Sequence, residues 1–472
     1  MSRALLISVV ALAGCFDFGG SPVGLQDAAG DQLPDSEPDR GVDIDVLPDT
    51  PLDRDAPGDM DVFEDEDADV GGEPETPECD SSETYCEGDA LMRCEAGAWV
   101  LDEVCALGCH GGEGRCLALD PSNVDAAYMS YAESVVRVTG AVLIDTGDCD
   151  PDVFGDSAPS AFLISTGDGG DLCVMIMASL TVSREGAIEA EGKNPFVLLV
   201  DGDVMIRGTV FAGARNVTPG PAGGEGGPAN VPSGGACGAG GGSSAMTCDP
   251  GGGGGGHGGS GGDSGMGTEH SVPGALGGNP HGSPGLSPLA GGCGGGGGAT
   301  GDGTGGGAGG AGGGAIQISA SGSLTVQSDG LILAPGGGGL SGGMWSGGGG
   351  GGAGGGILLE GASVAVHGAV AANGGGGGAS DEGSSGSDGG SDATRAPGGD
   401  APVYEGGSRG GSGGAGDDPD GETSPDAKWN TGGGGGAAGR VRINSRGDGV
   451  AIHGVVSPLS EVTFTTGEIG TI

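Results

Sequence analysis

The stretch "GGILLEGASVAVHGAVAANGGGGG", Gly355 to Gly378, sets the fold. Its middle alternates apolar and small or polar residues, as a strand with one buried face does. Its ends are glycine, the residue that loses most conformational freedom on ordering. Inside it lies the frame Val364-Ala-Val366-His-Gly368-Ala-Val370-Ala-Ala372, and this frame recurs. It returns as Val136-Arg-Val138-Thr-Gly140-Ala-Val142, as Val204-Met-Ile206-Arg-Gly208-Thr-Val210-Phe-Ala212 and as Val450-Ala-Ile452-His-Gly454-Val-Val456. Two versions carry two more residues before the glycine: Leu180-Thr-Val182 to Gly186-Ala-Ile188, and Leu324-Thr-Val326 to Gly330-Leu-Ile332.

The frame reads as strand, tight turn at glycine, strand. Another apolar run precedes it: "LCVMIM", "FVLLV", "AIQI", "GILL" or "RVRI". Each repeat therefore offers about three short strands. Val182 and Ile206 stand 24 residues apart with no glycine run between them. That distance suits one coil of a parallel β-solenoid, whose coils stack at ~4.8 Å. The expected fold is all-β: a parallel β-solenoid (β-helix) with long glycine-rich inserts, an antiparallel β-sandwich being the alternative. The repeat domain covers 120–472, with inserts at about 215–313, 336–355 and 374–437.

Glycine numbers 120 of 472 residues, far above the usual ~7%. No Gly-X-Y register holds, which removes collagen. The runs at 251–256, 294–298, 347–352, 374–378 and 432–436 read as flexible loops. The alternative is extended polyglycine helices packed side by side through their backbones, an arrangement that resembles glycine-rich regions of some phage adhesins and receptor ectodomains. Burying a Val or Ile gains ~1.5–3 kcal/mol against ~1–2 kcal/mol to order a residue. Strand units meet that cost and an isolated glycine run does not.

A net charge of −49 with 16 Lys and Arg argues against nucleic acid and anionic lipid as partners. From Asp17 to Glu78 there are 21 Asp and Glu against Arg40 and Arg54, interleaved with proline. Such a segment (15–78 with Cys15) reads as a disordered, self-repelling acidic linker. Calcium loops of the D-x-D-x-D-G type are absent from it.

Before it stand a positive Met1-Ser2-Arg3, an apolar Ala4 to Leu12 too short to span a bilayer, and Leu12-Ala13-Gly14-Cys15. This resembles the lipobox of bacterial lipoproteins. The likeness implies a signal peptide over 1–14, lipidation at Cys15 with palmitate-type acyl chains, and membrane attachment through that anchor. Phe16, rather than Asp, follows the cysteine, which favours the outer membrane.

Cys79, Cys86, Cys94, Cys105, Cys109 and Cys116 fall within 38 residues, and 79–119 reads as a module with about three disulfides. Fifteen connectivities are open. Zinc is disfavoured, since no CxxC pair occurs and His110 is the module's one histidine. Trp99 is the expected small core. The run with "RCEAGAW" and "CALGC" resembles cysteine modules of myxobacterial-type surface lipoproteins, a glycine-rich class that the whole chain resembles in composition. Outside the module, Cys149 and Cys173 would pin the first coil, Cys237 and Cys248 would close a short loop, and Cys293 is left over, free or interchain.

Reactive constellations are missing. The nearest calcium nonapeptide, Gly258 to Met266, places Gly265 where an aliphatic residue must enter a core. No P-loop and no nucleophile elbow occurs. His367, His453 and Arg207 take equivalent, outward repeat positions and read as solvated surface, a stacked metal ladder being the alternative. Trp345, Trp429 and Tyr404 are the candidate aromatics for gripping a sugar ring. The expectation is a membrane-anchored cell-envelope lipoprotein with a structural or adhesive, non-catalytic role, needing no metal or cofactor, with a surface protein or polysaccharide as partner. The alternative is a carbohydrate-binding or carbohydrate-active β-helix protein, although Glu189 stands alone among the outward positions where such enzymes cluster carboxylates.

Overall fold

A computed structural model describes residues 79–167, 170–233, 239–242, 248–301, 305–402 and 406–472. The acidic linker and the leader lie outside the described residues.

The cysteine module holds β1 (Thr84–Glu87), β2 (Ala90–Glu95) and β3 (Ala98–Val104) in an antiparallel meander. It ends in a small hairpin of β4 (Cys109–His110) and β5 (Arg115–Cys116). Disulfides join Cys79 to Cys94, Cys86 to Cys109 and Cys105 to Cys116. Trp99 is half-buried and meets Tyr85 edge-on, with ring centroids 4.6 Å apart. Leu91, Cys94, Cys105, Leu107 and Leu119 are the buried apolar residues, so in a module this small the cystines themselves take a central place.

The module is seated on the end of the chain. Leu107 and Leu119 pack with Ile469. Ala118 and Ile472 exchange backbone hydrogen bonds at 3.0 Å. The guanidinium of Arg446 donates to both carboxylate oxygens of Asp89, at 2.8 and 2.6 Å.

The repeat domain begins with β6 (Val135–Val138), β7 (Ala141–Asp145) and β8 (Ser160–Ser165). Next come β9 (Asp171–Met177), β10 (Ser179–Val182) and β11 (Ala187–Glu191), then β12 (Phe196–Val200), β13 (Val204–Ile206) and β14 (Thr209–Phe211). Longer strands follow: β15 (Ala315–Val326) with β16 (Leu331–Leu333), and β17 (Gly356–Val366) with β18 (Ala369–Ala371). The chain closes with β19 (Arg440–Ser445), β20 (Val450–Ile452), β21 (Val455–Ser457) and β22 (Phe464–Glu468).

These strands form parallel ladders, with antiparallel β8 flanking β9. One ladder runs β9, β12, β15, β17, β19, β22. A second joins β6, β10 and β13 to the distal halves of β15 and β17 and then to β20. The third runs β7, β11, β14, β16, β18, β21. The six frames stack in the register that their sequence alignment implies. Val136, Leu180, Val204, Leu324, Val364 and Val450 form one row, and Val142, Ile188, Val210, Ile332, Val370 and Val456 another.

Between the ladders lies one aliphatic core, which takes in Val138, Met175, Ile188, Leu198, Ile206, Ile318, Val366 and Ile443. The first ladder is covered on its other face too. Val174, Ile176, Val197, Leu199 and Leu358 pack there against Val124, Leu286 and Leu289. Burial on both faces explains why "LCVMIM" and "FVLLV" are continuously apolar rather than alternating.

The glycine-rich segments leave after β14, β16 and β18, always from the third ladder, and return to the first. Emerging at one corner, they lie beside one another. The five glycine runs are buried. In 347–355, N–H groups of Gly348, Gly351 and Gly354 donate to Thr431, Gly434 and Ala437. Those of Gly349, Gly352 and Gly355 donate to Leu340, Gly337 and Ala334, and those of Gly347, Gly350 and Ala353 to Ala299, Gly296 and Cys293.

The carbonyls rotate likewise. Gly348 and Gly351 accept from Gly252 and Gly255, Gly349 and Gly352 from Gly378 and Gly375, and Gly347, Gly350 and Ala353 from Gly307, Gly310 and Gly313. These bonds span 2.8 to 3.1 Å. A partner that changes with every residue and returns after three is the signature of a threefold extended helix. The run is thus ringed by other runs, some parallel and some antiparallel.

The flexible-loop expectation is therefore overturned, and packed extended helices describe these runs. The loop reading weighed each run alone. In the array every ordered residue gains backbone bonds, worth about 0.5–1.5 kcal/mol net each, together with dense contact. Glycine is required because a Cβ on Gly350 would strike the carbonyl oxygen of Gly253, and one on Gly252 that of Gly296.

At the array's rim, side chains replace the missing neighbours. Asp420 accepts from Ser260 N–H, Asp426 from Met266 N–H and Asp263 from Gly277 N–H, each at 2.7 Å. Asp388 accepts from Asn216 and Gly338 N–H at 2.9 and 2.8 Å.

Gly350→Ala is expected to destabilise the protein by about 3 kcal/mol or more, through overpacking and broken array bonds. Gly140→Ala, where an added Cβ meets nothing within 4 Å, should stay within about 0.5 kcal/mol. Denaturant unfolding of both variants checks this, and equal effects would contradict the packing.

Candidate binding surface

The predicted site residues fall into separate places. Cys15 and Cys237 lie outside the described residues, and so does the Cys237–Cys248 loop closure. Cys149 and Cys173 are disulfide-bonded, tying the segment after β7 to β9. Cys293 is itself disulfide-bonded, so the expectation of a free or interchain thiol there is corrected. Cys248 is buried, and its thiol lies 4.0 Å from the Lys428 carbonyl.

His367 and His453 stand one above the other on exposed turns, rings 5.1 Å apart and 20° from parallel. Among the described residues no group of three or more His, Cys, Asp or Glu is placed to hold a metal ion. Arg207, two turns before His367, approaches Asp329 of the intervening turn at 3.8 Å. Glu189 is paired with a cation: its carboxylate accepts from Arg215 at 2.9 Å, and Arg215 lies over the Phe211 ring at 4.4 Å.

One buried polar cluster escapes sequence reading. Glu360 in β17 accepts from Ser122 Oγ (2.5 Å), Ser319 Oγ (2.7 Å), Gln317 Nε2 (3.0 Å) and Asn444 Nδ2 (3.0 Å). Ser319, Glu360 and Asn444 are register partners, forming one polar rung across three apolar strands. Asn123 extends it, donating to Gln317 and to the Leu286 carbonyl, both at 2.9 Å. The rung fastens the segment after the cysteine module to the ladder. Its signal was a charged residue at one aligned position of a buried run.

A second unread group is a pair of histidines within the array. His257 is fully buried, its ring 4.7 Å from His281. Since Gly354 offers a carbonyl at 2.8 Å, His257 carries its proton on Nδ1. Nε2 has no partner among the described residues. Burial, then the charges of His281 and Arg440, hold the imidazole neutral, its pKa pushed down to about 3. Burial lowers His281 as well.

The aromatic pair of interest sits where the runs turn back. Run 346–355 feeds into β17, so at ~3.1 Å per residue its start lies nearly 30 Å from the strands. There Trp345 and Trp429 meet edge-to-face, centroids 6.4 Å apart and planes at 65°. Lys428 Nζ lies 4.8 Å from the Trp429 centroid. Tyr404 lies outside the described residues.

Backbone and amide bonds fix this end. Asp381 N–H donates to Ser346 O (3.1 Å), Asn430 Nδ2 to Asp381 Oδ1 (2.7 Å), Asp249 N–H to Asn430 Oδ1 (3.0 Å) and Trp429 N–H to Gly406 O (3.0 Å). Burial raises the Asp381 pKa above its ordinary value. The Trp429 ring lies where a Cβ on Gly406 would be, and Gly406 has φ +114°. Elsewhere the surface offers shallow hollows, one with exposed Asp448 and Glu468 and another with Glu189 and Arg215.

No protein-family model, no curated protein and no solved structure matches the chain.

The histidine pair predicts acid sensitivity. Both folded-state pKa values lie below the ordinary 6.5, so the unfolded chain binds protons first. Stability is full above pH 6.5 and falls as pH drops. His257 alone contributes a slope of up to about 1.4 kcal/mol per unit toward pH 5. His257→Asn, which retains a donor for Gly354, should flatten that slope in unfolding titrations between pH 6.5 and 5. A flat wild-type profile there would contradict it.

Proposed function

We propose that this chain is a lipid-anchored cell-envelope protein with a structural or adhesive role, and that it does no catalysis. Its three ladders are the walls of a parallel β-solenoid, and the glycine array is a stiff extension that carries the turn loops away from those walls. One observation carries this reading: the inserts from three successive turns are knitted through their backbones into a buried array. Such a body holds loops at a fixed distance without using side chains for chemistry. The leader with Leu12-Ala13-Gly14-Cys15 supports attachment, since several acyl chains at ~0.8 kcal/mol per buried CH₂ hold firmly. The acidic segment supports a stand-off tether. Rim aspartates that close the array's own N–H groups account for part of the acidity without any ligand. The Trp345–Trp429 pair, with Trp345 exposed, favours the adhesive over the purely structural role.

Expression of wild-type and Cys15→Ser chains in a Gram-negative host tests attachment. The wild type should sediment with membranes and incorporate labelled palmitate, and Cys15→Ser should do neither. A soluble, unlabelled wild type, or a variant that still sediments, contradicts the anchor.

A further inference from the structure

We propose that the turned end of the glycine array is a carbohydrate-binding site, with Trp345 as the platform on which a neutral pyranose ring stacks. This deepens the adhesive reading and rests on it. Trp345 is 54% exposed, and Met344 beside it 44%, in a protein whose aromatics are 3% of residues. The half of this indole left in water at a loop tip gains nothing for folding. Its backbone is also held at φ +56°, a conformation that costs a bulky residue free energy and persists only when its surroundings enforce it.

Those surroundings are specific. The next residue, Ser346, is buried, bridges to Thr300 and accepts from Asp381 N–H. Trp429, 84 residues further along, is brought beside it and locked against Gly406. The pair is thus presented rigidly, which lowers the ordering cost of binding. Two planes at 65° form a notch: one indole face takes the C–H face of a sugar, and the other lines its edge. The indole N–H of Trp429 is buried and has no acceptor among the described residues. A shift of that ring on binding breaks no hydrogen bond and lets a hydroxyl oxygen supply the missing one.

Polar groups around the notch suit hydroxyls: the Lys428 ammonium and the Asn430–Asp381 pair behind it. Carboxylates at this end and a net charge of −49 oppose an anionic membrane. A protein partner would need a broader apolar core than two indoles and one methionine.

Purified full-length chain is titrated with chitotetraose, cellotetraose and mannotetraose, and binding is read by tryptophan fluorescence and calorimetry. At least one oligosaccharide should bind with a fluorescence change. Trp345→Ala should weaken it about tenfold or more with an unchanged melting temperature. Trp345→Gly, which the positive φ accommodates, should match Trp345→Ala. Leu276→Ala, at another exposed apolar side chain (71%), should bind as wild type. Binding to none of the three, binding by the Trp345 variants as tight as that of the wild type, or Trp345-dependent binding to phosphatidylglycerol vesicles instead, overturns the site. Because the assay uses purified protein, membrane attachment can fail by fractionation while the site stands, and the reverse.

Discussion

The structure depends on how closely two peptide backbones can approach when neither carries a side chain. In the glycine array carbonyl oxygens occupy the space where a Cβ would be. A methyl group on Gly350 or Gly433 would lie on the carbonyl of Gly253 or Gly349. That proximity lets successive residues bond in turn to different neighbouring runs. Without it the runs would be solvated coil, since glycine has the largest ordering cost and no side chain to bury.

The array and the ladders sustain each other. Three inserts whose ends are all held by the strand ladders pay less loop-closure entropy to come together. The inserts in return cover the outer face of the first ladder, where Leu286 and Leu289 pack. Ala212, Ala334 and Ala372 continue the ladder bonding into the runs, their N–H groups donating to Leu333, Ala371 and Ser457. Bonds of about 1 kcal/mol against an ordering cost of the same size leave little per residue. Stability therefore belongs to the whole assembly, and single-site faults inside it are costly.

Much of the strand architecture was legible because it rests on side chains. The rows through Val136 to Val450 and Val142 to Val456 follow from apolar periodicity and a glycine at each bend, and the ladders pair those same residues. What the glycine runs do was not legible. Their order comes from contacts between segments as distant in sequence as Gly252 and Gly434, and no side-chain pattern marks which run meets which. Glu360 was hidden for a related reason: a lone carboxylate in "GILLEGAS" becomes meaningful only when Ser319, Asn444 and Ser122 are beside it. Trp345 and Trp429 stood out individually, but their meeting depends on two turn-backs of the array. The seating of the cysteine module on the last strands was equally invisible, since Asp89 and Arg446 are joined only in three dimensions.

Amide hydrogen exchange, read at residue level over 251–256, 347–352 and 432–436 at neutral pH, bears most directly on this account. Backbone-bonded runs predict protection comparable to that of β15 and β17, lost together with the strands in denaturant. Exchange at the rate of unstructured glycine across these runs, with the strands still protected, would contradict it.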